Sequence, residues 1–158
     1  MREGVVSRTR RYPRSLLARH LMDRPFDIVL VSCTARKRDH ETTAENLYVS
    51  DWFLKAKRIA REFGGRWFIL SAKHGILTPE SLIGPYDQSL DAMSAHDKEA
   101  WGHGVWQKLS QLVDADLSGR SVLLLAGQSY RTHVQRHLVA SGARTCAPLS
   151  DLGIGRQL

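Results

Sequence analysis

Unbroken apolar runs of strand length alternate along the chain with segments of helical periodicity. The runs lie within "FDIVLVS" (26–32), "RWFILSAKHG" (66–75) and "RSVLLLAGQSY" (120–130). Apolar residues at consecutive positions are typical of strands that are covered on both faces. A shorter segment, "ARTCAPL" (143–149), predicts one further strand.

The segment "SDWFLKAKRIAREFGG" (50–65) has the pattern of an amphipathic helix. Its apolar residues recur at three- and four-residue spacing and share one face: Phe53, Ala56, Ala60 and Phe63. Ser50 or Asp51 can accept the first free amide hydrogens, and Gly64 can supply a left-handed ending. We therefore expect a helix that begins near residue 51.

Two later segments also predict helices. "SAHDKEAWGHGVWQKLSQLV" (94–113) begins with a suitable capping residue, Ser94, although Gly102 and Gly104 disfavour a helix. "QSYRTHVQRHLVASG" (128–142) ends in a glycine, as helices often do. Strands that alternate with helices indicate an α/β domain with a mainly parallel sheet.

Glycine and proline interrupt the region between the second strand and the second helix. The segment "ILTPESLIGPYDQSLDAMS" (76–94) is therefore predicted to be a long loop, and the residues from 33 to 46 are predicted to be a polar connection.

Composition places the chain among globular proteins of one domain, since 158 residues with 42% hydrophobic content can bury a core. Positive charge is concentrated at the start: residues 1–24 hold seven arginines against Glu3 and Asp23. We expect a basic, flexible arm over 1–24 and a single α/β domain over 25–158. The arm is either a solvated leader or a phosphate-binding segment.

Cysteine content and hydropathy indicate in which compartment the protein is expected. Two cysteines, Cys33 and Cys146, are too few for a disulfide framework, which favours a reducing cytoplasm. No apolar run approaches the ~20 residues that a membrane helix needs, so no membrane partner is expected. Metal-ligand spacings are absent, and we expect neither a metal nor a cofactor.

The three long strands end in the same residue pattern, in which small residues are followed by polar ones. In parallel sheets a ligand lies beyond the carboxyl ends of the strands, where small residues allow it to approach the backbone. The candidate binding residues are Ser32 and Thr34 after the first strand, Ser71 and Lys73 after the second, and Gly127, Gln128 and Ser129 after the third.

Two side chains at these strand ends are candidates for catalysis. Cys33 lies among cations that favour a thiolate and a nucleophilic role, or it is a small buried residue that closes a strand. His74 can act as an acid or a base near neutral pH, or can cover the sheet edge. Lys37 can hold a phosphate or carboxylate, or can be a solvated turn residue.

The loop sequence "GPYDQSL" (84–90) adds a ring and a carboxylate. Tyr86 can stack on a base, and Asp87 can accept from a base edge or stabilise a developing cation. The alternative is a turn with a packed tyrosine. Groups that donate hydrogen bonds to an anion, a ring that can stack and a carboxylate together suit a nucleobase, a nucleoside or a nucleotide as the ligand.

Several separated motifs, in order, resemble a bacterial and phage family of small domains of unknown function. They are "VSCTARK", "NLYVSDWFLKAKRIA", "WFILSAKHGIL", "IGPYDQSL", "LLAGQSYR" and "PLSDLGIGRQL", and they cover about residues 26–158. The group is distantly similar to the peroxide-stress proteins and to a domain of the archaeosine synthases, whose Cys-to-Lys spacing Cys33 and Lys37 share. The resemblance implies a three-layer α/β sandwich like that of uracil-DNA glycosylase, and work on modified bases or nucleic acid.

The leading hypothesis is an enzyme that processes a nucleobase or nucleoside at the N-glycosidic bond or the base, free or within nucleic acid. Its catalytic residues would be Asp87, His74 and Cys33. The alternatives are a non-catalytic DNA- or RNA-binding module that uses the arm, and a thiol redox sensor built on Cys33. Oligomeric state stays open.

Overall fold

The computed structural model describes residues 26–63, 65–114 and 116–148. The predicted basic arm (1–24) lies outside these ranges. So does Gly64, the residue predicted to end the first helix. The strands are β1 (Ile28–Ser32), β2 (Thr42–Thr43), β3 (Arg66–Ser71), β4 (Gly75–Leu77), β5 (Leu82–Ile83), β6 (Ser121–Leu125) and β7 (Arg144–Cys146). The helices are α1 (Ala44–Leu47), α2 (Asp51–Glu62), α3 (Ala95–Leu112) and α4 (Gln128–Ala140), with a 3₁₀ turn at Leu90–Ala92.

A five-stranded sheet of order β4-β3-β1-β6-β7 forms the centre of the domain. β1 pairs in parallel with β3 on one side and with β6 on the other, β7 is parallel to β6, and β4 is antiparallel to β3. After β1 the chain moves to β3, and it then crosses to the other side of β1 to form β6. This reversal leaves a crevice between the carboxyl ends of β1 and β6, where open α/β sheets bind ligands.

Helices cover both faces of the sheet. Val29 and Val31 of β1 pack in one cluster with the buried face of α2, whereas Ile28 and Leu30 pack in a second cluster with α3 and α4. All four side chains are essentially inaccessible, as the unbroken apolar run predicts. The predicted α/β domain with a mainly parallel sheet is confirmed.

The helix boundaries follow the predicted capping signals. The Ser50 side chain accepts a hydrogen bond from the amide of Phe53 at the start of α2, and Ser94 does the same for Asp97 in α3. Gly142 has a φ of 83° just after α4, a conformation that favours glycine.

The prediction of an unstructured loop over 76–94 is wrong in part. β4 pairs with β3, β5 pairs with β2 in a small second sheet, and a 3₁₀ turn follows. Ile76 and Ile83 are buried, so short apolar segments between the breakers gain partners that local sequence does not show. The connection over 33–46 likewise contains β2 and the start of α1.

Within the described part of the chain, no helix has the length and apolar character to cross a membrane.

Candidate functional site

A cleft of about 440 Å³ lies at the carboxyl ends of β1 and β6. We call it the strand-end cleft. Four segments line it: residues 32–37, the start of α2 (Ser50, Trp52), the loop before α3 (Asp87, Gln88, Ser89, Asp91) and the start of α4 (Gly127, Tyr130). It therefore occupies the crevice that the strand order predicts.

The end of β1 is held rigidly at the cleft. The amide of Cys33 donates to the carbonyl of Leu70 at 2.8 Å, which extends the pairing with β3 by one residue. Only 8% of Cys33 is exposed, and its Sγ lies 3.2 Å from the hydroxyl of Tyr130. The thiol thus reaches the cleft from a buried position with one polar partner.

The start of α2 brings a capping residue and an indole into the cleft. The Oγ of Ser50 accepts from the amide of Phe53 at 3.2 Å and donates to Oγ1 of Thr34 at 3.0 Å. One serine therefore stabilises the helix start and orients a second cleft hydroxyl. Trp52 packs against the core and lines the cleft with part of its indole, whose Nε1 is buried without a hydrogen-bond partner.

We expect Ser50→Ala to lower the free energy of unfolding by about 1 kcal/mol, because α2 loses its cap. Ser94→Ala removes the equivalent cap from α3, outside the cleft, and should have a similar cost. Urea denaturation measures both values. A cost below 0.3 kcal/mol for the Ser50 variant alone would contradict the assigned capping role.

The loop before α3 forms an acidic and amide-bearing part of the cleft. Nε2 of Gln88 donates to the carbonyl of Ala72 at 3.4 Å, and the Asp91 carboxylate accepts a hydrogen bond from the Ser129 hydroxyl at the start of α4. These contacts tie the loop to the turn after β3 and to α4. They hold the segment that directly follows the exposed Asp87.

Tyr86 lies outside the lining of the cleft, within a hydrogen-bonded network. Its hydroxyl lies 2.7 Å from both the Tyr48 hydroxyl and Oγ of Ser71. Burial, followed by the nearby Cys33, raises its pKa well above the usual value, so the phenol stays protonated. Nζ of Lys37 lies 4.4 Å from the centroid of its ring. Tyr86 thus supports Lys37 through a cation–π contact.

His74 and Lys73 also lie outside the lining. The ring of His74 meets Tyr86 edge-on, with 5.4 Å between centroids, and its backbone amide donates to Oγ of Ser71. Burial, then Lys73 and Lys108, lower the pKa of His74 below 6.5. The imidazole is therefore mostly neutral at pH 7.

An NMR titration of His74 should show a midpoint below 6.5, and Lys73→Gln should raise that midpoint because one neighbouring cation is removed. Because the unfolded chain binds more protons between the lowered pKa and 6.5, the stability from neutral His74 is complete above pH 6.5. It decreases as the pH falls through this window. A midpoint at or above 6.5 in the wild type would refute the assignment.

The structure brings half of the predicted site residues into one cleft. Ser32, Cys33, Thr34, Lys37, Asp87 and Gly127 line it. Ser71, Lys73, His74, Tyr86, Gln128 and Ser129 do not line it, although Ser71 and Tyr86 lie in the supporting network and Ser129 bonds to Asp91.

Sequence reasoning did not select several residues that line the cleft as site residues. They are Ala35, Arg36, Ser50, Trp52, Gln88, Ser89, Asp91 and Tyr130. For two of them a signal existed: a serine that caps the helix after the crossover from β1 starts that helix at the strand ends, and Trp52 follows it. The contribution of Asp91 depends on a contact with a residue 38 positions away, which no local pattern reveals.

The cleft offers polar chemistry of both signs. Arg36 and Lys37 supply positive charge, Asp87 and Asp91 supply carboxylates, and Gly127 starts α4 without a capping side chain. An uncapped helix start leaves amide donors for a ligand. Among the described residues, no three histidine, cysteine or acidic side chains lie close enough to hold a metal ion.

Comparison with known proteins gives a family. A Bacillus subtilis (strain 168) protein, the uncharacterised YfjM, is 30% identical over 117 residues, which is 73% of this chain and 75% of that protein. No solved structure matches the chain with significance. The model of the family of unknown function DUF6884 matches residues 28–158, which include the whole strand-end cleft. The chain belongs to the DUF6884 family.

Proposed function

We propose that this protein is an enzyme that processes a nucleobase or nucleoside, free or within nucleic acid, at the N-glycosidic bond or at the base itself. The observation that carries the proposal is the content of the strand-end cleft. It combines an indole, two carboxylates and two cations at the strand-order reversal of a mainly parallel sheet. Its volume of about 440 Å³ is of the order that a small, flat ligand needs.

Asp87 is the proposed catalytic group. It is exposed in the cleft, and no side chain among residues 26–63, 65–114 and 116–148 hydrogen-bonds its carboxylate. A carboxylate without a partner among the described side chains is available to a substrate. It would stabilise positive charge that develops on the sugar as the glycosidic bond weakens, or it would accept a proton.

We assign the remaining roles in the proposal to residues that line the cleft. Trp52 replaces Tyr86 as the stacking surface, because Tyr86 lies behind Lys37, outside the lining. Gln88 carries an amide that can pair with a base edge. Arg36 and Lys37 hold an anionic group, and the proton is no longer routed through His74, since that ring does not line the cleft.

Cys33 keeps a binding or nucleophilic role in the proposal. Its thiol lies at the cleft beside the Tyr130 hydroxyl. A thiol redox sensor built on Cys33 remains the weaker alternative, and retained function in Cys33→Ser would remove both the sensor and the nucleophilic role.

We also propose that the α/β domain has the fold of uracil-DNA glycosylase. A uracil-DNA-glycosylase-like sandwich is supported by helices on both faces of a sheet with β1 at its centre. The distant similarity to the peroxide-stress proteins and to the archaeosine synthases rests on the sequence motifs, including the spacing of Cys33 and Lys37.

Product analysis tests the proposal. The full chain is incubated with nucleosides and with oligonucleotides that contain ordinary and modified bases, and chromatography with mass detection follows free base and mass changes. We expect a released or altered base. A DNA- or RNA-binding module would retain oligonucleotides but leave every substrate mass unchanged.

A further inference from the structure

A cationic stripe runs along α2, away from the strand-end cleft. Arg58 and Arg61 lie one turn and two turns beyond Leu54, and together with Lys57 and Glu62 they line a shallow groove. We call Lys57, Arg58 and Arg61, together with the neighbouring Arg38, the α2 cationic surface.

This surface carries more positive charge than its acids neutralise. Glu45 pairs with both Lys57 and Arg61. Burial lowers the pKa of Lys57, Glu45 opposes this shift, and Arg61 and Arg38 lower the pKa further, so the cations lie close together. Arg58 is exposed, and no described carboxylate forms an ion pair with it.

The connection after β1 links the strand-end cleft to the α2 cationic surface. Trp52 lines the cleft, whereas Arg58 and Arg61 lie about 9 and 14 Å further along the axis of α2. At 3.6 residues per turn they lie on the other side of the helix from Trp52, so the link does not run straight along α2. Arg36 and Arg38 connect the two regions, since Arg36 lines the cleft and Arg38 bonds to the carbonyl of Asn46 near Lys57.

We propose that the substrate base is part of a single strand of nucleic acid, whose phosphates follow the α2 cationic surface while one base enters the strand-end cleft. This proposal rests on the proposed function and names its substrate class. An unpaired base is required because its polar edge must be free to meet the cleft. A row of cations at increasing distance from a base-sized cleft matches a backbone that carries one charge per nucleotide. Leu54, which is 49% exposed in the groove, offers apolar contact to a sugar or base.

The test compares Arg58→Gln/Arg61→Gln with Arg66→Gln/Arg120→Gln in the full chain. The control pair removes the same charge from the amino ends of β3 and β6, at the other end of the sheet. Lys57 still pairs with Glu45 in the first variant, so no carboxylate is left alone. The probes are a fluorescent single-stranded oligonucleotide, read by anisotropy across a salt series, and free nucleosides, read by thermal shift.

We expect the α2 variant to bind the oligonucleotide about tenfold more weakly, with a salt slope smaller by about 1.4 because two phosphate contacts are lost. The control should match the wild type, and nucleoside shifts should be unchanged in all three proteins. Equal losses in both variants, or none in either, would overturn the proposal. If nucleosides still shift the melting temperature, the proposed function survives that result. If neither probe binds the wild type, both proposals fail.

Discussion

Asp87→Asn should reduce turnover of a nucleobase or nucleoside substrate by 10²–10⁴-fold while leaving the fold unchanged. The carboxylate is exposed in the strand-end cleft, and none of the described side chains hydrogen-bonds it, so its neutralisation removes no hydrogen bond to them. The loop is held by other groups, including the bond between Asp91 and Ser129. Steady-state kinetics on the substrate identified by product analysis measures the effect.

Asp39→Asn is the matched control for this result. Asp39 is exposed on the connection after β1, does not line the cleft, and loses the same charge on substitution. Its turnover should stay within twofold of the wild type, and both variants should melt within a few degrees of it. Wild-type turnover in the Asp87 variant would remove the proposed catalytic role.

Gly102→Ala should destabilise the protein by about 2 kcal/mol or more, although alanine normally favours a helix over glycine by about 1 kcal/mol. A Cβ at position 102 would lie 2.1 Å from the carbonyl oxygen of His133, a backbone atom of α4. Relief requires α3 and α4 to separate, which loosens the buried packing on that face of the sheet. Thermal and urea denaturation measure the loss.

Gly104 lies in the same helix, and Gly104→Ala should change stability in the opposite direction. Position 104 is exposed, and a Cβ there would meet nothing within 4 Å, so only the helix propensity changes. We expect this variant to be more stable than the wild type by up to about 1 kcal/mol. If Gly102→Ala also stabilised the protein, the close crossing of the two helices would be wrong.

These two glycines show what sequence can and cannot predict about the fold. Both weaken a helical pattern equally, yet Gly102 is required by the approach of α4, which only the assembled structure reveals. By contrast, the three long strands and the starts of α2 and α3 follow from apolar runs and capping serines. These elements form where the local sequence predicts them, because local preference and overall fold agree there.

Short elements were missed because their stability comes from distant partners. Leu82–Ile83 forms a strand only because Thr42–Thr43 lies beside it, and two-residue strands carry no detectable period. Dependence on distant partners also explains which predicted site residues line the cleft and which do not. Cys33, Thr34 and Lys37 follow a strand end and line the cleft, whereas Tyr86 was expected to stack and instead forms bonds with Tyr48 and Ser71.

Binding of a nucleobase or nucleoside in the strand-end cleft is tested by a thermal-shift screen of nucleobases, nucleosides and nucleotides on the full chain. A ligand at 100 times its Kd stabilises the folded state by about 2.7 kcal/mol. Ala35 is exposed and lines the cleft, so Ala35→Trp should fill it without disturbing the core. We predict at least one nucleobase or nucleoside that raises the melting temperature of the wild type and not of Ala35→Trp. No shift with any ligand, or an equal shift in both proteins, would contradict binding of such a ligand in the strand-end cleft.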